Sequence, residues 1–124
     1  MNVAIILLKA GSAIMMLVLG IHQFVRPADW FGYIPEPIKK AGSPGPVSGE
    51  DRALSCETIV RTHAAGNLFF GLFLVSGFIP LIAAWAAFVW WSSVLPLAFM
   101  HKWTEGMRDL SIVISLLALI FLLS

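Results

Sequence analysis

The sequence predicts an all-α integral membrane protein: a four-helix antiparallel bundle with one long interfacial loop between its first two helices. Three observations predict it. Of 124 residues, 59% are hydrophobic and only 12% charged, with a mean hydropathy of +0.88. A soluble domain of this size needs more polar surface than that to cover its core. Four apolar runs, each close to the roughly 20 residues that cross a bilayer, alternate with polar or proline-bearing breaks. Threading those runs up and down sends all the acids to one end, with every lysine and arginine but Lys9.

The first span covers about 3–25. Lys9 interrupts it early enough to snorkel to the interface. No positive charge leads the run, and the run is long, so a retained span is expected in place of a cleaved signal peptide. Ala10, Gly11, Ser12 and Ala13 narrow one girth of the helix and invite close approach by another. Arg26 and Pro27 stop it.

Residues 26–54 form the long loop. Its start, Pro27 to Pro35, sets Trp30, Phe31 and Tyr33 beside Asp29, the composition of a short element lying in the interface. Residues 41–49 are rich in Gly, Pro and Ser and read as flexible. A functional loop and a plain tether both remain open.

The second span covers about 55–78, with Ser55 as its expected N-cap. A turn at Phe78-Ile79-Pro80 leads to the third span, about 80–100, where Ala83, Ala84, Ala86 and Ala87 offer a second close-packing face. Trp85, Trp90 and Trp91 follow, and Pro96 predicts a kink by freeing the Ser92 carbonyl. Residues 101–108 read as a second polar loop. The fourth span covers about 109–123, with Asp109 at its N-terminus. The whole, 1–124, reads as one domain.

The chemistry concentrates in Arg61-Thr62-His63-Ala64-Ala65-Gly66-Asn67-Leu68-Phe69-Phe70-Gly71. His63 and Asn67 lie one turn apart on one helix face, and Glu57 precedes Arg61 by one turn on another. His22 ends span one, His63 opens span two, His101 ends span three and Asp109 opens span four. Four antiparallel helices thus bring a polar residue each to one end of the bundle. An unpaired charge there costs about 2.5–3.5 kcal/mol on insertion scales, so Arg61 and Arg108 are expected to pair with Glu57, Glu105 and Asp109. The candidate ligand-binding cap is His22, Arg61, His63, Asn67, His101, Arg108 and Asp109.

Several classes of function fall away. A net charge of +1 gives no case for nucleic acid. The single Cys56 excludes an internal disulfide and a CxxC pair, and reads as a small residue near a helix start. No serine sits in a nucleophile motif. The three histidines come from three helices with no HxxxH pair, so no metal is assigned. Interfacial hydrogen-bonding histidines are the plain reading of the cap. The sharper one is a head-group site with an apolar tail between helices, a shape that suits a quinone. The positive-inside rule places loops 26–54 and 101–108 in the cytoplasm and the termini outside.

Gly20-Ile21-His22-Gln23-Phe24, Pro27, Trp30 and Tyr33-Ile34-Pro35, then Arg61 to Asn67 with Gly71, then Arg108-Asp109-Leu110-Ser111 before a last apolar run, resemble the DoxX family. Its members are small four-span membrane proteins of bacteria and archaea. The resemblance covers nearly the whole chain. It implies a redox association in the cell membrane, as in a thiosulfate:quinone oxidoreductase subunit or a membrane partner of soluble oxidant-defence enzymes. The chain departs from the family at Asn67, where an acid is frequent, and a proton-handling carboxylate is absent there. Two functions are carried forward: a quinone-linked oxidoreductase subunit, and a non-catalytic anchor whose 26–54 loop recruits a soluble redox enzyme or another membrane subunit. Transport would need an oligomer, because the Leu68–Phe78 and Leu110–Leu123 stretches offer no polar route.

Overall fold

The computed structural model describes residues 2–37 and 49–124, the side chains of 49–55 excepted. The expected flexible stretch thus lies outside the described residues apart from the backbone of Gly49, as do Lys39 and Lys40. The described chain is helical: α1 Val3–Val25, a 3₁₀ segment Pro27–Tyr33, α2 Gly49–Ser76, α3 Pro80–His101 and α4 Trp103–Leu123. Four of these helices are long and apolar enough to cross a membrane. Their outward faces leave Val18, Phe69, Val89 and Phe121 more than half exposed, as lipid-facing residues should be. The protein is a multi-pass membrane protein.

Each helix buries one narrow stripe at alternating three- and four-residue steps. On α1 the stripe is Ala13, Met16, Gly20 and Gln23. On α2 it is Val60, Ala64, Asn67, Gly71 and Leu74, and on α4 it is Gly106, Asp109, Val113, Leu116 and Ile120. This spacing is the seam of left-handed helix packing. α1 packs mainly on α2 and α3 on α4, while α1–α4 and α2–α3 contacts close the four-sided ring. Among the described residues, neither diagonal pair brings its backbones within 8 Å, Cα to Cα.

Two boundaries differ from expectation. α2 begins at Gly49, six residues ahead of Ser55, which lies inside the helix. At 1.5 Å per residue its 28 residues span about 42 Å, well over the roughly 30 Å hydrocarbon layer, so its first turns continue into the polar region. α4 likewise begins at Trp103, and the predicted loop 101–108 shrinks to one extended residue, Lys102 (φ −150, ψ 136). Lys102 closes α3 through its own N–H to Ala98 O at 3.0 Å and accepts from Gly106 N at 3.0 Å. The first-turn acid of α4 is therefore Glu105, and Asp109 sits a turn further in, buried. Charge misled here: polar residues in the first turns of a helix read like a loop.

At the other end, the turn into α3 holds Ile79 at φ 46 before Pro80. Ser76 Oγ donates to Phe73 O at 2.7 Å and accepts from Phe78 N at 3.2 Å. This end is packed solid by Ala13, Met16, Leu74, Ala83, Ala84, Ala87, Leu116 and Leu119.

Candidate functional site

At the polar end the bundle is hollow. The 3₁₀ segment lies across α1, α2 and α3 as a roof. Ile34, Cys56 and Val60 pin it to α2, with Trp30, Phe31 and Ile59 packed around them. Cys56 is thus a buried core thiol. Beneath the roof is a cavity of about 120 Å³ that is not sealed from outside. Its walls are mostly apolar, with Leu19, Ile59, Val94, Leu97 and Ala98 among them. The polar side chains that reach it are Gln23, His63, Asn67, Arg108 and Asp109, together with the indoles of Trp30 and Trp91 and the phenol of Tyr33.

The polar members are held in two groups. In the first, Trp90 Nε1 donates to Asn67 Oδ1 at 2.7 Å, and Asn67 Nδ2 donates to Gln23 Oε1 at 2.8 Å. Gln23 Nε2 stands 3.1 Å from His63 Nδ1. Sequence sets this up twice over. His63 and Asn67 share a face of α2, and Gln23 is the next step of the α1 stripe after Gly20. Gly66 completes it, because a Cβ there would fall on the Trp90 ring. Trp90 can therefore lie flat against α2, where it stacks on His63 with centroids 5.0 Å apart and planes at 20°.

In the second group, Arg108 Nε donates to Asp109 Oδ1 at 2.8 Å. Asp109 is only 4% exposed, so the guanidinium supplies the partner that a buried carboxylate requires. Two ring nitrogens are left over. His63 Nε2 and Trp91 Nε1 are buried and find no hydrogen-bond partner among the described residues. Both rings line the cavity.

Of the seven expected cap residues, four meet at the cavity: His63, Asn67, Arg108 and Asp109. The other three stay outside it. Arg61 is exposed, paired with Glu57 at 2.9 Å and lying 5.5 Å over the Phe24 ring. His22 Nδ1 accepts from Trp30 Nε1 at 2.8 Å, and its Nε2 is 3.7 Å from Asp29. His101 packs on Tyr33 with centroids 4.3 Å apart and sits 3.9 Å from Glu105. His22, Trp30, Tyr33 and His101 thus form a row of touching rings along the roof, since Trp30 stacks on Tyr33 at 5.0 Å. The expected pairings of Arg61 with Glu57 and Arg108 with Asp109 are present, and Glu105 pairs with His101.

The expected cap did not include Gln23, Trp90, Trp91 or the roof residues Trp30 and Tyr33, although Pro27 to Pro35 was expected to form a short interfacial element. A signal for Gln23 was available in the stripe of α1. Among the described residues, no group of three or more His, Cys, Asp or Glu side chains is placed to hold a metal ion. No protein-family model, curated protein or solved structure matches the chain.

Proposed function

We propose that this protein is a quinone-linked membrane subunit of the DoxX kind, and that the cavity beneath the roof takes the quinone head. The observation that carries the reading is the size and lining of that hollow. It measures about 120 Å³, and an apolar cavity of roughly 150 Å³ takes a benzene ring. A single quinone ring matches this scale, with its isoprenoid tail leaving through the opening into lipid. Quinone carbonyls accept hydrogen bonds, and His63, Trp91 and Arg108 bring donors to the same wall.

The roles follow from position. His63, Trp91 and Arg108 contact the head, while Gln23 and Asn67 orient His63. His22 and His101 stand at the two ends of the roof's row of rings and serve as proton-exchanging neighbours of the site. Conversion to the quinol takes two electrons and two protons, and a docked redox enzyme would deliver the electrons. The membrane is the cell membrane, with the roofed end cytoplasmic by the positive-inside rule. The anchor alternative rests on the 26–54 loop, whose residues 38–48 lie outside the described chain, so no observation favours it.

Three tryptophans line or border the cavity, which supplies the test. A short-chain benzoquinone titrated into the purified protein in mild detergent should quench indole fluorescence saturably and raise the melting temperature. Ala98→Leu, which fills the cavity, should abolish both effects. Quenching that is linear in quinone and identical in the variant overturns the reading.

A further inference from the structure

We infer that a one-way hydrogen-bond relay, Trp90 to Asn67 to Gln23 to His63, holds His63 in the tautomer that carries its proton on Nε2. The cavity then presents a fixed N–H donor and selects ligands by an acceptor atom, such as a carbonyl oxygen. The relay itself stands on contacts within the protein. Only the naming of the acceptor as a quinone carbonyl rests on the function proposed above.

The direction comes from the indole, which can donate and never accept. Trp90 Nε1 is 2.7 Å from Asn67 Oδ1, and turning that amide over would set N–H against N–H. Asn67 must therefore show its Nδ2 to Gln23, whose Oε1 receives it at 2.8 Å. Turning the Gln23 amide over would again oppose two donors. Gln23 is left with Nε2 to offer, 3.1 Å from His63 Nδ1. Its Oε1 also lies 3.3 Å from Nδ1 and has a second lone pair, but it is the more distant atom, and an Nδ1–H there would take from Gln23 Nε2 its acceptor at 3.1 Å. Nδ1 therefore accepts.

In an uncharged imidazole the proton must then be on Nε2. That atom is buried and has no partner among the described residues, in a ring that lines the cavity. A donor left without a protein partner in a mostly apolar cavity has a free-energy reason to meet an acceptor. The relay draws one residue from α1, two from α2 and one from α3. It also gives Asn67, at 1% exposure, a task that an acid would not perform: a carboxylate can accept from Trp90 but cannot pass an N–H onward. Gln23, Asn67 and Trp90 are positioning residues here.

Nitrogen-15 NMR of histidine-labelled protein in detergent micelles reads the tautomer directly. The chain has three histidines, and the spectrum of His63→Phe assigns the one that matters. The ligand-free protein should show His63 Nε2 protonated and Nδ1 bare. An Nδ1–H tautomer, or an averaged signal, overturns the inference. Trp90→Phe keeps a ring over Gly66 but removes the donor that sets the direction, so His63 should become a tautomer mixture. Should that variant fail to fold, Asn67→Leu interrupts the relay one step later and should give the same mixture. An unchanged His63 signal in either folded variant also overturns it.

Adding a short-chain benzoquinone should shift the His63 Nε2 resonance without changing the tautomer. Either folded variant should bind that quinone about two- to tenfold more weakly, the worth of one oriented hydrogen bond. If the tautomer is as stated and quinone shifts nothing, the relay stands and the quinone reading fails.

Discussion

The two ends of this bundle are built from the same helices and have opposite interiors. Towards the Ile79 turn, alanines from α1 and α3 let the backbones close, and Met16, Leu74, Leu116 and Leu119 fill what is left, each at most 1% exposed. Towards the roof, the same four stripes carry Gln23, Asn67, Trp91 and Asp109, and a ring-sized hollow remains among them. Lipid tails give helices no hydrophobic reason to associate, so close packing must hold the closed end together. The open end gives up packing density and relies on paired polar groups and a pinned roof. The difference separates the part that holds the fold from the part that is free to bind.

The largest effect expected from that contrast is at Leu116, which is fully buried in the closed end. Leu116→Ala should cost about 2–5 kcal/mol, the range for leucine truncation in a rigid core. Denaturant titration of the protein in mild detergent measures it. A loss below about 1 kcal/mol would mean that the closed end is not the packed unit described.

A matched pair of enlargements tests both ends at once. Ala84 and Ala98 are both on α3 and at most 2% exposed, but Ala84 belongs to the closed core and Ala98 lines the cavity. Ala84→Leu should destabilise by about 1–3 kcal/mol through overpacking. Ala98→Leu has somewhere to go, so its stability should change by less than about 1 kcal/mol while quinone binding disappears. Equal losses of stability at the two sites would erase the distinction between the ends.

The closed end was largely legible in the sequence, and the open end only in outline. The spans follow from length and hydropathy, and the collection of polar residues at one end follows from threading them. Which polar residue turns inward does not follow from either. His22 and Gln23 are neighbours, 100° apart on α1, and histidine draws the eye as the reactive one. The helix rotation that buries Met16 and Gly20 carries Gln23 in and leaves His22 beside Trp30. Trp90 was invisible for a related reason. Its role depends on the bare backbone at Gly66 across the α2–α3 contact, a pairing that no single-helix pattern contains. Asp109 was placed at the right end but in the wrong turn, because the charges before it lie on helix and not on loop.

The smallest expected effect concerns Ile79, the one described non-glycine residue with a positive φ (46°). A β-branched side chain in left-handed geometry costs about 1–2 kcal/mol, and such strain elsewhere tends to mark working sites. Here it lies in the turn of the closed end, 46% exposed and away from every cavity residue. A plain structural cause suffices: α2 must reverse into α3 directly ahead of Pro80, which bars ordinary helical geometry from the residue before it. Ile79→Gly removes the steric cost but gives the unfolded chain more freedom, worth about 0.4–1 kcal/mol in the other direction. The net gain in stability should therefore be about 1 kcal/mol or less, with the His63 tautomer and quinone affinity unchanged. A change in either of those two readouts would show that the ends are mechanically coupled, and that the closed end does more than hold the helices together.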